Sequence, residues 1–452
     1  MPKIKSLAVL AALSLFLLVS ARAQEAAPLT SKFDEYLSAA AKQGFTGSAL
    51  VAKDGKVVFS KGYGMANVEW DIPNTPQTKF RLGSITKQFT AASILLLQER
   101  GKLSVQDPIC KYFDSCPESW KEITIHHLLT HTSGVPNFTS FPDYQKTMMM
   151  PVTMESLVSR FKDKPLDFKP GERMSYSNSG YVTLGYIIEK VAGESYESFL
   201  RKNIFDPLKM ADTGYDRPTT ILKNRATGYS SMNGKRINSE YLDMTIPHAA
   251  GALYSTVEDL FAWNEALFSD KLLSAKSREA MMTVDKNNYA YGLVVNQQLN
   301  RKMVSHGGGI NGFNTALARF PEEKVTVVVL RNADYGFSNP GKIGQDLAAI
   351  VFGEKYEVPR ERVAIKIDPK ILDAYVGQYE LAPSFIFTMT REGDSLMTQA
   401  TGQPKFELFP ESETKFFLKV VDAQVTFVKD DKGAVTHLIL HQGGDRTAKK
   451  IK

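Results

Sequence analysis

Phe80-Arg81-Leu82-Gly83-Ser84-Ile85-Thr86-Lys87-Gln88-Phe89 is the stretch on which the reading of this chain turns. From Ile85 onward Phe89, Ala92, Leu95 and Leu96 recur at helical spacing, and Gly101 supplies a C-terminal stop. Ser84 then falls in the first helical turn, where the helix dipole and unpaired backbone N–H groups favour a developing negative charge. Lys87 lies three positions on, so both side chains share a face. A serine hydroxyl is a poor nucleophile until a base takes its proton, and a desolvated lysine serves once its pKa falls. The spacing alone decides little, because Ser-x-x-Lys recurs at Ser159/Lys162 and Ser412/Lys415.

Two further motifs lie downstream. Tyr176-Ser177-Asn178 is the sole Tyr-x-Asn of the chain and follows Lys169-Pro170-Gly171-Glu172, a turn that predicts an exposed loop. His306-Gly307-Gly308-Gly309 is expected to end one strand just before another begins. The ordered set Ser84-x-x-Lys87, Tyr176-x-Asn178 and His306-Gly307-Gly308 resembles the serine penicillin-recognising superfamily. Within it, the chain is similar to the branch of class C β-lactamases, D-alanyl-D-alanine carboxypeptidases, D-aminopeptidases and related esterases. The stretches Ile123–Gly134 and Ala250–Thr256 add to the likeness, which covers residues 30–355.

The resemblance implies an exported serine hydrolase acting on small amides or esters, cell-wall peptides with D-amino acids among them. Ser84 would form an acyl-enzyme, with Lys87 and Tyr176 sharing the proton traffic. Which of the two is the resting base is open at this level. Asn178 would orient Lys87 and contact a substrate amide. The backbone N–H groups of Ser84 and Gly309 would form the oxyanion hole, and the glycines from Gly307 to Gly309, Gly308 among them, would let a substrate backbone approach the strand edge. β-Lactamases of this branch carry a lysine where His306 stands. A neutral histidine offers a hydrogen bond in place of a fixed charge, which points away from efficient antibiotic hydrolysis. The alternatives are a non-catalytic penicillin-binding or cell-wall receptor module and a class C-like β-lactamase.

Around these motifs the pattern predicts an α/β (α+β) architecture. A helix from Ser31 to about Gln43 carries Phe33 and Leu37 on one face. Asp54-Gly55 joins the extended runs Gly47 to Lys53 and Lys56 to Gly62 as a hairpin. Strands are expected again at Tyr289–Asn296, Met303–His306, Phe313–Phe320 and Val325–Leu330, followed by a helix over Lys342–Val351. Strands at both ends of a helix-rich insert imply one discontinuous domain with a common antiparallel sheet flanked by helices. Residues 24–355 form this hydrolase domain and 356–370 a charged, proline-containing linker. Residues 371–452 form a small all-β, barrel-like domain, from short strands at regular spacing, which we expect to limit access to the cleft.

The chain has 452 residues and a formal charge of +6; without Lys3, Lys5 and Arg22 it is +3, too mild to argue for nucleic acid. Those three residues flank the apolar run Leu7 to Val19, which is too short to span a bilayer needing about 20 helical residues. Ala21-Arg22-Ala23 supplies small residues, so residues 1–23 read as a signal peptide cut after Ala23, leaving a periplasmic or secreted protein with no stable membrane span. Cys110 and Cys116, the two cysteines of the chain, would form a local disulfide in that oxidising compartment. His127 and His131 stand four apart on an expected helix, a zinc-compatible spacing, but Leu128-Leu129-Thr130 between them lacks the glutamate of a zinc protease, and a structural role is preferred. Phe138, Phe141 and Tyr144 read equally as a cleft lining or as loop packing. No metal or organic cofactor is expected; the partner is a small-molecule or short-peptide substrate.

Overall fold

The computed structural model describes residues 28–452 apart from 233, 337, 338, 422, 443 and 444. The leader and its cut after Ala23 lie outside these residues. A first helix, α1 (28–42), leads into β1 (Gly47–Lys53) and β2 (Lys56–Tyr63). Their connection is the tight turn expected, with Asp54 at φ 52° and Gly55 at φ 72°, both in the left-handed region that such hairpins need. The chain then enters a helical lobe containing α2 (Thr86–Glu99), α3 (Ile125–Leu129), α4 (Met154–Lys162), α5 (Asn178–Ala192) and α6 (Val257–Leu267). It returns to the sheet as β3 (Val294–Gln298), β4 (Arg301–Ile310), β5 (Phe313–Phe320) and β6 (Val325–Arg331), followed by α7 (Pro340–Phe352).

The six strands form one antiparallel sheet in the order β3-β4-β5-β6-β1-β2, so the two ends of the domain pair directly, Leu50 opposite Val328. Side chains alternate across each strand. Ala49, Val51, Val327 and Val329 face α1 and α7, where they meet Phe33, Leu37, Ile343 and Leu347. Leu50, Val328 and Leu330 face the helical lobe and join Phe89, Trp263 and Leu260. Burial on both faces explains why Val325–Arg331 reads as a continuous apolar run ending in a buried arginine.

Two strand expectations are corrected. The expected strand Tyr289–Asn296 begins only at Val294, because Tyr289–Leu293 coils through tight turns, with Ala290 N–H donating to Leu293 O and Gly292 at φ 67°. A Cβ on Gly292 would stand 2.7 Å from the Lys87 carbonyl oxygen, so this segment packs directly on α2. The alternation read as a strand comes from a buried turn. The glycines after His306 do not end a strand; they continue β4 to Ile310. Since β3 reaches only to the Val294–Ser305 pair, the stretch 306–310 is paired with β5 on one side and, among the described residues, has no strand on the other.

Residues 377–450 close into an eight-stranded antiparallel barrel of β7 (Gly377–Ala382), β8 (Phe385–Glu392), β9 (Ser395–Ala400), β10 (Lys405–Pro410), β11 (Lys415–Phe417), β12 (Gln424–Lys429), β13 (Val435–His441) and β14 (Asp445–Lys450). The interior is filled by Leu396, Leu408, Phe427, Leu438 and their neighbours. The 3-10 turn Pro369–Tyr375 adds Leu372 and Tyr375, the latter stacked on Phe427 at 4.1 Å. The later part of the linker runs along this barrel, with Ile365 N–H donating to Pro410 O and Arg362 paired with Glu411. Cys110 and Cys116 are joined in a disulfide.

Candidate active site

Ser84 sits in the 3-10 turn Gly83–Ile85 that opens α2. Gly83 adopts φ 54°, and a Cβ there would lie 2.9 Å from Gly309 O and 3.0 Å from Gly309 N. Only glycine lets the turn bend this way with β4 passing so close. Gly308 is just as confined, since a Cβ would land on the Leu82 carbonyl oxygen, which already accepts a hydrogen bond from Thr315 Oγ1 at 2.8 Å. The free edge of β4 is thus held against the turn that carries Ser84.

Lys87 is fully buried, one helical turn from Ser84. Its Nζ lies 3.0 Å from Ser84 Oγ, 2.9 Å from Asn178 Oδ1 and 2.8 Å from Ala250 O. The Asn178 and Ala250 oxygens only accept, so Nζ donates to both. Burial drives the Lys87 pKa well below the usual lysine range. As an ammonium Lys87 donates to all three oxygens; in the neutral form its two protons would serve Asn178 and Ala250 and its lone pair would face the Ser84 hydroxyl. Asn178 is held in turn at the start of α5, its backbone N–H donating to Asn137 Oδ1 at 3.0 Å and its Nδ2 to Thr139 Oγ1 at 3.2 Å.

Tyr176 stands just before α5, 37% exposed, with its ring centroid 4.8 Å from Lys87 Nζ. Desolvation raises its pKa and an interaction with the Ser84 hydroxyl works against the rise, so the phenol is protonated at neutral pH. His131 braces it. Ser175 N–H donates to the His131 carbonyl at 2.9 Å and Ser177 N–H to His131 Nδ1 at 3.2 Å, while the imidazole packs on the Tyr176 ring at 4.2 Å.

His306 is buried in β4, and both ring nitrogens are taken up within the protein. Nδ1 donates to the Gly307 carbonyl at 2.6 Å, which leaves Nε2 to accept from the Tyr289 hydroxyl at 3.0 Å. Burial and the nearby Lys87 lower its pKa to about 4, so the imidazole is uncharged at neutral pH. A cleft of ≈ 180 Å³ opens over Ser84, bounded by Thr139, Tyr144, Asn178, Leu242, Gly309 and Asn311. None of these walls is charged.

Ser84, Lys87, Tyr176 and Asn178 therefore converge, with Gly308 and Gly309 alongside. The rival motifs do not. Ser159 Oγ donates to the Ser156 carbonyl on the surface, and Ser412 Oγ accepts from Lys415 N–H in a turn. The histidine pair separates, because α3 ends at Leu129 and His131 lies beyond it at φ 57°. His127 caps its own helix, exchanging hydrogen bonds with Thr124. Among the described residues no group of three or more His, Cys, Asp or Glu side chains could hold a metal ion, and no helix is long and apolar enough to cross a membrane. The motif reading missed the Ala250 carbonyl, Thr139 and Tyr289; Ala250 alone carried a signal, within Ala250–Thr256.

A serine one turn from a buried lysine, set between a helical lobe and the free edge of a glycine-rich strand, is the arrangement that the sequence resemblance anticipated. The chain belongs to the β-lactamase family, whose model matches residues 31–349, and a domain of unknown function, DUF3471, matches residues 361–450. Penicillin-binding protein 4* of Bacillus subtilis (strain 168) is 31% identical over 442 residues, covering 91% of this chain and 96% of that protein. Among solved structures, the octameric penicillin-binding protein homologue from Pyrococcus abyssi is 30% identical with a TM-score of 0.67, over 93% of this chain and 99% of its own. The D-amino acid amidase from Ochrobactrum anthropi SV3 is 25% identical with a TM-score of 0.64, over 72% and 99%.

Proposed function

We propose that this protein is an exported serine hydrolase that works through a Ser84 acyl-enzyme on small amides or esters, D-amino-acid peptides of the cell-wall type among them. The observation that carries the reading is the 3.0 Å contact between Ser84 Oγ and Lys87 Nζ, a fully buried lysine whose two other partners, Asn178 Oδ1 and Ala250 O, are acceptors only. As Oγ attacks the substrate carbonyl carbon, its proton passes to the Lys87 lone pair. The carbonyl π electrons move to oxygen, and the oxyanion faces the backbone N–H groups of Ser84 and Gly309. Collapse breaks the bond to the leaving amine or alcohol, which takes the proton through Tyr176. Water then attacks the ester, the same groups relay its proton, and Ser84 is regenerated.

Likeness to a D-amino acid amidase and to penicillin-binding proteins supports the substrate class. His306, uncharged and internally bonded, supports no strong grip on a carboxylate beside the scissile bond, and this ranks β-lactam turnover below peptide or ester turnover. The leader supports export. The test is labelling by an activated fluorophosphonate, expected for the wild type and absent in Ser84→Ala; equal labelling of both would remove Ser84 as the nucleophile. A panel of a chromogenic cephalosporin, nitrophenyl esters, a D-alanyl-D-alanine peptide and D-amino acid amides then ranks substrates. Cephalosporin turnover far above the rest would overturn the ranking, and labelling without any turnover would favour a receptor.

A further inference from the structure

Beside the Ser84 cleft lies a second cavity of ≈ 370 Å³, and Tyr144 forms a wall of both. Phe138 and Phe141 give it an apolar floor, and Arg160 and Lys164 stand at its side. Neither cation has a carboxylate within ion-pair distance among the described residues. Arg160 Nη1 donates only to Thr147 Oγ1, at 3.3 Å, and Lys164 Nζ stands 5.7 Å from the Phe141 ring centroid. Asp143, also on the wall, leaves the pocket with a net positive charge. We propose that this cavity is a second substrate subsite, which takes an apolar, ring-bearing acyl arm ending in a carboxylate.

Three features lead to that occupant. The catalytic cleft, at about half the volume, holds the scissile bond and little more, so a larger acyl group must extend beyond it. The same loop builds both spaces: Thr139, which binds Asn178 at 3.2 Å, is flanked in sequence by Phe138 and closely followed by Phe141 and Tyr144. An arm leaving the carbonyl on the Asn178 side would enter the second cavity by passing Tyr144, the residue that lines both. Finally, the cleft itself has no charged wall, while the neighbouring cavity offers two cations without an ion-pair partner among the described residues, Lys164 beside the Phe141 ring and Arg160. Anion recognition is thus displaced from the scissile bond to the far end of the acyl group, where a guanidinium and an ammonium can bind a carboxylate by charge-assisted hydrogen bonds.

The inference rests on the serine hydrolase reading, and the test separates the two. The full-length protein is given the nitrophenyl esters of 3-(4-carboxyphenyl)propanoic acid and of its neutral carboxamide counterpart. The expected kcat/KM ratio favours the carboxylate by about ten-fold, chiefly through KM, with the preference shrinking at high salt. Arg160→Gln with Lys164→Gln abolishes the ratio, and Arg160→Glu with Lys164→Glu reverses it towards an aminomethyl counterpart. If neither ester turns over, the same compounds are scored as competitors of fluorophosphonate labelling. Equal ratios in the wild type, or a preference that survives the double substitutions in labelled and hence folded protein, would overturn the subsite. A wild type that does not label would overturn the hydrolase reading instead.

Discussion

His131 Nδ1 accepts a hydrogen bond from the Ser177 backbone N–H at 3.2 Å while the His131 carbonyl accepts one from Ser175 N–H at 2.9 Å, so one buried residue holds the backbone on both sides of Tyr176. Since that nitrogen is an acceptor and burial, Lys87 and His306 all lower the His131 pKa, the ring is neutral. His131→Ala removes the brace and leaves a cavity against Tyr176, Tyr181 and Tyr289. Truncating a buried ring typically costs about 3 kcal/mol. We expect that loss in chemical denaturation, together with a drop of about ten-fold or more in the Ser84 labelling rate. His131→Gln, which keeps an acceptor, should recover part of the labelling rate; a labelling rate unchanged in the alanine variant would deny His131 its hold on Tyr176.

The second prediction concerns pH. In the proposed mechanism the base is unprotonated Lys87, whose pKa burial holds well below the usual 10.5. The labelling rate should therefore rise with pH through that lowered value and level off before the ordinary lysine range is reached. Lys87→Arg keeps a positive charge that does not dissociate, and should slow labelling by about a thousand-fold or more. A rate still climbing through pH 10 would mean that Lys87 titrates as an exposed lysine and is not the resting base.

Much of this was legible because local patterns sufficed. The Asp54-Gly55 hairpin, the apolar run of β6 and the helical spacing after Ile85 each dictate their own geometry. Ser84, Lys87, Tyr176 and Asn178 stand out through the order of their motifs, which resembles the superfamily, and the structure brings the four together. What stayed hidden depends on tertiary contact. The Ala250 carbonyl is a site group only because its segment passes over Lys87, and no side chain announces it. Tyr289 carries the pattern of a strand residue, since a buried turn mimics alternation. The last barrel strand, Asp445–Lys450, is mostly charged and exposed; it is a strand because it closes the barrel between β13 and β7.

The glycines of β4 supply a paired prediction. A Cβ at Gly308 would collide with the Leu82 carbonyl and with Thr315 Oγ1, forcing β4 away from the turn that carries Ser84. At Gly307 the nearest atom is Thr315 O, at 3.4 Å, an ordinary contact. Gly308→Ala should lower kcat/KM on a nitrophenyl ester by about 100-fold or more, the scale of a lost oxyanion-hole donor. Gly307→Ala should stay within a few-fold of the wild type. Similar losses in both variants would mean that the close packing of β4 on Leu82 does not set the geometry of the site.

The final prediction follows from the neutral state of His306. Its folded-state pKa is about 4 against 6.5 for a free histidine, lowered by burial and then by Lys87. Between those values the unfolded chain binds a proton that the native state refuses, so stability falls as pH drops from about 6.5 towards 4. The full contribution, present above pH 6.5, is on the order of 3 kcal/mol. Other groups titrate in the same window, His131 among them, so the measurement is a difference: urea denaturation of the wild type and of His306→Gln at pH 7 and at pH 4.5. The glutamine cannot titrate, and the wild type should lose more stability over this interval than the variant does. Equal losses would show that His306 accepts a proton as readily in the folded protein as outside it, and with that the uncharged strand edge beside Ser84 would be gone.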